Sequence, residues 1–133
     1  LLAFGEYLPL SETFPILLKW LPFVSNFGRG QGPMLMHWPR MNASSIEFGG
    51  QICYESLDPH FSRKLAALGS DILVNVTNDS WFGKTFEPKQ HLYMTLARAI
   101  ETRRPLIRST NTGISTVILA SGQILEQSPI HQE

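Results

Sequence analysis

The 133-residue chain contains one cysteine, Cys53, and this scarcity excludes a framework of internal disulfides and a cysteine-rich zinc site. Its 11 basic and 11 acidic residues cancel, so it lacks the basic excess that nucleic-acid binding favours. The four histidines are scattered without metal-ligand spacing, and we expect them to be ordinary residues, with no metal and no other cofactor. With 43% hydrophobic residues, the chain can still form the core of one globular domain.

Long apolar runs are also missing. The longest, from Phe14 to Val24, contains Lys19 and two prolines, whereas a membrane-spanning helix needs about 20 mostly apolar residues. The sequence contains no basic segment followed by an apolar segment, so it shows no signal peptide. These observations concern this chain and not segments that precede or follow it in a parent protein.

Acidic residues are absent between Glu12 and Glu47, where aromatic residues, proline and glycine are abundant. Aromatic side chains mixed with Lys and Arg are typical of a membrane–water interface. The prolines and glycines predict a short amphipathic helix near residues 11–21, followed by irregular chain. We therefore expect residues 11–45 to form a membrane-facing arm, with Trp20 and Phe23 as candidate lipid-binding residues. An ordinary surface loop with some buried aromatic residues is the alternative.

After Glu47 the pattern alternates between strands and helices, which predicts an α/β fold with helices packed on a sheet. Asp58 and Pro59 begin a helix that Gly69 ends, and Pro88 begins a longer helix with Leu92, Leu96 and Ile100 along one face. Strands are predicted at residues 46–53, 71–77, 105–109, 114–120 and 123–126.

Cys53 lies where a predicted strand ends and a helix follows, which is where α/β sheets bind ligands. Nearby backbone N–H groups stabilise a thiolate at such a place, so Cys53 is a candidate nucleophile; a buried structural cysteine is the alternative. Glu55 and Glu6 are the nearest candidate carboxylates, and for both a surface ion pair is the alternative reading. Residues 78–83 (NDSWFG) follow a buried strand at the same rim. There, Asn and Asp order a turn, and Trp81 and Phe82 form the wall of a pocket or, alternatively, pack into the core.

Several strings together resemble a known family. Residues 4–9 (FGEYLP) and 51–55 (QICYE) look like the nitrilase (C–N hydrolase) superfamily. Residues 75–83 (NVTNDSWFG), 90–92 (QHL) and 104–113 (RPLIRSTNTG) are similar to the apolipoprotein N-acyltransferases within it. The resemblance implies that the chain is the C-terminal part of a nitrilase-like domain, an α-β-β-α sandwich with a mixed sheet and outer helices.

The resemblance also implies an activity. Such enzymes move an acyl chain from a phospholipid onto a cysteine and then to the N-terminal amine of a diacylglyceryl apolipoprotein. They lie in the bacterial inner membrane with this domain on the periplasmic side, and we expect a monomer. The residues that match are Cys53 as nucleophile, the Tyr54 backbone N–H as oxyanion donor, Glu6 and Glu55 as supporting carboxylates, and Trp81 on a mobile loop.

A Glu and a Lys complete the triad of this family, and the resemblance places both, with the membrane helices, outside the present chain. We therefore expect the isolated chain to lack acyltransferase activity. Two other functions stay open at this stage. One is a soluble amidase or nitrilase of the same superfamily; the other is a non-catalytic lipid- or peptide-binding module, in which Cys53→Ser would leave function intact.

Overall fold

The computed structural model describes residues 7–21, 27–28, 30–41 and 43–130. The chain divides into two compact units, residues 1–31 and 32–133. Within the described part of the first unit, a turn at Leu10 precedes one short helix, α1 (Ile16–Trp20). The expected helix over residues 11–21 is therefore in the right place but too long. Leu10 has a φ of 65°, which turns the backbone, and the helix starts after Pro15.

In its described residues, the second unit is a six-stranded mixed sheet with two α-helices. Its strands lie side by side in chain order, and the central strands β2, β3 and β4 are parallel. The outer pairings β1–β2, β4–β5 and β5–β6 are antiparallel. The elements are β1 (Leu35–Arg40), β2 (Ala43–Ile52), α2 (Pro59–Ala67), β3 (Ile72–Thr77), α3 (Glu87–Thr102), β4 (Leu106–Thr110), β5 (Thr116–Ile118) and β6 (Ile124–Gln127). This confirms the predicted α/β class and mixed sheet.

Two 3₁₀ turns follow the central strands. The Cys53 turn (Cys53–Leu57) comes directly after β2, and the Trp81 turn (Ser80–Phe82) comes soon after β3. Helix α2 begins as the sequence predicts, because the Asp58 side chain accepts a hydrogen bond from the backbone N–H of His60 at 2.8 Å. It is followed by Gly69 at a φ of 103°, a conformation that glycine adopts without steric cost.

Helices α2 and α3 contact each other on one face of the sheet, and the apolar core lies between. Its buried members are Leu65, Leu73, Leu92, Ala99, Leu106, Ile114 and Ile118. Gly49 of β2 makes this packing close, because a Cβ there would lie 3.0 Å from the Leu65 side chain. The expected apolar face of α3 is partly wrong: Leu92 is buried, but Ile100 is 49% exposed. His91 and Thr95 take buried positions instead, since they face polar partners described below.

The opposite face of the sheet is apolar and uncovered among the described residues. Ile52 is 68% exposed and Val76 is 55% exposed, and both alternate with buried residues along their strands. Ile107 and Val117 occupy the same face on β4 and β5. An apolar sheet face is normally buried against another layer, so this arrangement fits one half of a sandwich.

Strand β1 contradicts the expectation of irregular chain through residue 45. Leu35–Arg40 pairs antiparallel with β2, with Leu35 opposite Gly49 and Trp38 opposite Ile46. Pro39 argues against a strand, because proline has no N–H to donate to a neighbouring strand. However, β1 lies at the edge of the sheet, where proline is tolerated because only one side of the strand is paired. The register also shifts between Trp38 and Arg40.

Candidate active site

The candidate site lies at the carboxyl edge of the three parallel strands. Ile52 pairs with Val76, and Thr77 pairs with Thr110, so the strands end side by side. The residues that follow them, Cys53 and Asp79 among them, therefore converge at one rim. This is the edge at which open α/β sheets bind ligands.

Cys53 holds an unusual backbone conformation at the start of its turn. Its φ is 50°, in the left-handed region that residues other than glycine rarely adopt. The thiol is free and partly buried. The Cys53 carbonyl oxygen accepts hydrogen bonds from Asn75 Nδ2 at 3.2 Å and from Ser56 Oγ at 3.0 Å. Strained backbone at a reactive side chain persists only where surrounding contacts hold it, and these two donors are such contacts.

The two residues after Cys53 both support the turn. Glu55 Oε2 accepts a hydrogen bond from the backbone N–H of Ile52 at 2.8 Å, which fixes the junction of β2 with the turn. The ring of Tyr54 stacks on His91 at a centroid distance of 5.1 Å and meets Phe82 edge-on at 6.2 Å. Burial raises the pKa of Tyr54, and the carboxyl of Glu87 and the Cys53 thiol add smaller effects in the same direction.

Asp79 is the centre of a buried polar cluster that the sequence analysis did not identify. Its carboxylate accepts a hydrogen bond from Arg108 Nη2 at 2.9 Å, and His91 Nδ1 lies 3.0 Å from Oδ1. All three side chains are essentially inaccessible to solvent. Burial acts to raise the pKa of Asp79, but the hydrogen bond of His91 and the charge of Arg108 outweigh it, so the pKa is lowered. Because an ionised carboxylate only accepts, His91 donates from Nδ1.

Arg108 connects this cluster to the cysteine. Its Nη1 donates to Asn75 Oδ1 at 2.7 Å and to Thr95 Oγ1 at 3.2 Å. Asn75 and Arg108 are directly opposite each other on β3 and β4, on the face that carries the helices. Burial lowers the pKa of Arg108, while Asp79 and, more weakly, Cys53 act to raise it. A guanidinium keeps its charge in proteins, so the site contains a buried cation.

The Trp81 turn is ordered much as the sequence predicts. Asn78 Oδ1 accepts hydrogen bonds from the Ser80 N–H at 3.0 Å and from Asn111 Nδ2 at 2.7 Å. Phe82 packs edge-on against Tyr54 and His91. Trp81, expected beside Phe82 in the wall of a pocket, is 82% exposed in the structure. The Asp79 side chain, expected to order this turn, bonds Arg108 and His91 instead.

Three candidate residues remain: Trp20, Glu6 and Phe23. Trp20 lies at the end of α1 in the first unit and is 73% exposed. Glu6 and Phe23 lie outside the described residues. Among the residues that the structure covers, no three His, Cys, Asp or Glu side chains form a group suited to a metal ion. In the same part of the chain, no helix has the length and apolar character needed to cross a membrane.

A sequence signal for the missed residues does exist. Asn75 sits in the otherwise apolar strand ILVNVT, and Arg108 sits in the strand LIRST. Every second residue of a strand faces the same side of the sheet. A polar residue on the buried side must therefore form hydrogen bonds with buried partners. The sequence signal for His91 is weaker. It consists only of its position next to Leu92, the first residue of the predicted apolar face of α3.

Comparison with known proteins gives the site a context. The family model of the carbon–nitrogen hydrolases matches residues 22–133. The whole chain is 72% identical over 133 residues to apolipoprotein N-acyltransferase of Bdellovibrio bacteriovorus, of which it covers 24%. It is 37% identical over 133 residues to the enzyme of that name from Geobacter metallireducens, covering 25% of it, and 39% identical over 134 residues to that of Pseudomonas aeruginosa, again covering 25%. The chain thus spans about a quarter of the length of these relatives.

Solved structures show the same fold. An amidase from Nesterenkonia sp. matches with a TM-score of 0.61 and 22% identity, over 81% of this chain and 41% of the amidase. A second structure of an amidase from this genus matches with a TM-score of 0.62 and 22% identity, over 81% of this chain and 42% of the other. At this level of identity the likeness concerns the fold alone.

Proposed function

The chain belongs to the carbon–nitrogen hydrolase family, and we propose that it is the cysteine-bearing part of an apolipoprotein N-acyltransferase. The observation that carries the proposal is the Cys53 turn, which holds a free thiol in a strained conformation at the carboxyl edge of the parallel strands. The 72% identity with the Bdellovibrio bacteriovorus protein over the whole chain supports the specific activity.

In this proposal Cys53 carries the acyl group between two substrates. The Cys53 thiolate attacks the ester carbonyl of a phospholipid, the acyl–oxygen bond breaks, and a lysophospholipid leaves with a proton. The N-terminal amine of a diacylglyceryl-cysteine then attacks the thioester, an amide forms, and the thiol is regenerated. A thiol suits both steps, because its thiolate is a strong nucleophile and also a good leaving group.

The residues beside Cys53 supply supporting roles. We assign the Tyr54 backbone N–H to the oxyanion of each tetrahedral intermediate, since it directly follows the nucleophile. Glu55 supports the reaction by fixing the Ile52 N–H at the start of the turn. Glu6, and the Glu and Lys that the family resemblance places before Leu1, would complete the proton-transfer machinery.

Membrane contact is proposed for the aromatic side chains that solvent reaches. Trp81 and Trp20 are both more than 70% exposed, and indole rings favour the headgroup region of a bilayer. We assign Trp81, Phe82, Trp20 and Phe23 to binding of the phospholipid donor, and residues 11–45 to an arm against the bilayer. The enzyme would then act at the bacterial inner membrane, with this domain on the periplasmic side.

Acyl transfer by the full-length protein tests the proposal. Purified protein in detergent is mixed with a phospholipid and a peptide that begins with diacylglyceryl-cysteine, and the triacylated product is measured. We expect product with the wild type and none with Cys53→Ala, while the isolated 133-residue chain should be inactive. Release of ammonia from small amides, without acylation of the peptide, would instead indicate an amidase. Unchanged acylation by Cys53→Ala would exclude Cys53 as the nucleophile.

A further inference from the structure

A continuous path of buried and partly buried hydrogen bonds leads from the Cys53 backbone to the Trp81 turn. Asn75 Nδ2 donates to the carbonyl oxygen of Cys53 at 3.2 Å and to that of Gln51 at 3.3 Å. Arg108 Nη1 donates to the other end of the Asn75 amide, at 2.7 Å. Arg108 Nη2 donates to Asp79, which directly precedes the Trp81 turn. From this path we propose that Asn75 and Arg108 are positioning residues for acyl transfer, a role that rests on the function proposed above.

Arg108 acts by fixing the orientation of the Asn75 amide. A guanidinium can only donate hydrogen bonds, so the atom of Asn75 that faces it must be the carbonyl oxygen. The amide nitrogen is then directed at the backbone carbonyls before and at Cys53. Without the guanidinium, the Asn75 oxygen would lose its donor, and only the two hydrogen bonds from Nδ2 to backbone carbonyls would hold the amide. The conformation of the cysteine thus depends on a residue on a different strand.

The backbone at Cys53 needs this support because it is strained. A φ of 50° at a residue with a Cβ is disfavoured, and the neighbouring contacts must offset that cost. Asn75 and Ser56 provide two donors to the same carbonyl. Ser56 also lies 3.1 Å from Thr95, whose hydroxyl accepts from Arg108. Asn75 therefore bonds the guanidinium directly, and Ser56 lies beside Thr95, which also accepts from it.

The other guanidinium nitrogen of Arg108, Nη2, links the cysteine to the Trp81 turn through Asp79. Asp79 receives Arg108 on one oxygen and His91 on the other, and His91 stacks on Tyr54. The Tyr54 ring also meets Phe82 of the Trp81 turn. Arg108 therefore sets the position of the thiol relative to the proposed oxyanion donor and the proposed lipid-binding loop. Misplacement of reacting groups by about 1 Å can reduce a rate by about 100-fold.

Single-turnover acylation of Cys53 separates positioning from folding. Full-length protein is mixed with excess phospholipid, and thioester formation is followed over time: the amplitude counts folded sites, and the rate constant reports their geometry. For Asn75→Ala we expect the rate constant to fall by about 10- to 100-fold, with most of the amplitude retained and the phospholipid KM unchanged. Arg104→Met is the matched control, because Arg104 donates to the Ser70 carbonyl at the opposite end of the sheet. Its rate constant should equal that of the wild type.

Each outcome decides the question. An Asn75→Ala variant that loses amplitude but keeps the wild-type rate constant would show a structural role and overturn the proposal. If Asn75→Ala does not fold, Arg108→Lys takes its place: a lysine ammonium lacks the planar fork in which two separate nitrogens bond Asn75 and Asp79, so a slower rate constant is again expected. A wild type that forms no thioester would overturn the proposed function, and this inference with it. A wild type that reacts while both variants match its rate constant would overturn this inference alone.

Discussion

Replacing Asp79 with Asn tests how strongly the site depends on its buried ion pair. The substitution keeps the shape of the side chain and one carbonyl oxygen. It removes the negative charge that faces Arg108 at 2.9 Å, in a place where both side chains are inaccessible to solvent. Arg108 would then be a buried cation without a counter-charge, and His91 would compete with it for a single acceptor.

The cost follows from that geometry. Removing one partner of a buried ion pair destabilises a protein by about 3–5 kcal/mol, because the remaining charge stays desolvated. In a domain of about 150–250 residues this corresponds to a decrease in Tm of roughly 6–20 °C. The double variant Asp79→Asn with Arg108→Met removes both charges, so its loss should be smaller than the sum of the single losses by about 2 kcal/mol.

Thermal unfolding of the full-length protein in detergent, followed by tryptophan fluorescence, measures these losses. Asp58→Asn is the control, since Asn caps a helix as well as Asp does and Asp58 is exposed. Its Tm should match that of the wild type. A decrease of less than about 2 °C for Asp79→Asn would refute the reasoning. If the stability losses of Asp79→Asn and Arg108→Met simply add up in the double variant, the ion-pair interpretation is refuted as well.

Three further predictions concern packing and charge. Gly113→Ala should lower Tm and activity, because its Cβ would overlap the Asp79 carboxylate, whereas Gly30→Ala should leave Tm unchanged, because no atom of the described residues beyond its chain neighbours lies within 4 Å of its Cβ. Leu65→Ala should cost about 2–5 kcal/mol, since Leu65 is fully buried, while Leu68→Ala at an exposed position should cost far less; equal losses in Tm would contradict this packing. Because the pKa of Asp79 is lowered on folding, its ionisation stabilises the folded state above the ordinary Asp pKa and loses that effect as the pH falls through the folded value. The Tm difference between wild type and Asp79→Asn should therefore shrink below about pH 4, and a constant difference would argue against it.

The elements that the sequence predicted well have local causes. Asp58 caps α2 through its own side chain, and Gly69 lies just beyond its end. The apolar segment that ends at Thr77 forms a strand as its composition indicates, although only one face of it is buried and Val76 on the other face is 55% exposed. Because these signals operate within a few residues, they can be recognised without knowledge of the rest of the fold.

Strand β1 and the polar cluster depend on partners in other elements. Leu35–Arg40 is a strand because β2 pairs with it, and its side chains are mostly exposed, so it shows no apolar alternation. The position of Cys53 at a strand end was predictable from strand order. By contrast, the polar cluster comes from separate elements: Asn75 lies on β3, Asp79 on the loop after it, His91 on α3 and Arg108 on β4. The sheet register brings these residues together. No spacing in the sequence gives that register.

The most direct test of the central claim is the mass of the intact full-length protein after incubation with a phospholipid of defined acyl chain. We expect an added mass of one acyl group, located on Cys53, sensitive to hydroxylamine as a thioester is, and absent from Cys53→Ser. Addition of a diacylglyceryl-cysteine peptide should then remove the adduct and leave one acyl group on the peptide amine. An unmodified protein that still acylates the peptide, or an adduct that the peptide cannot remove, would contradict the proposed role of Cys53.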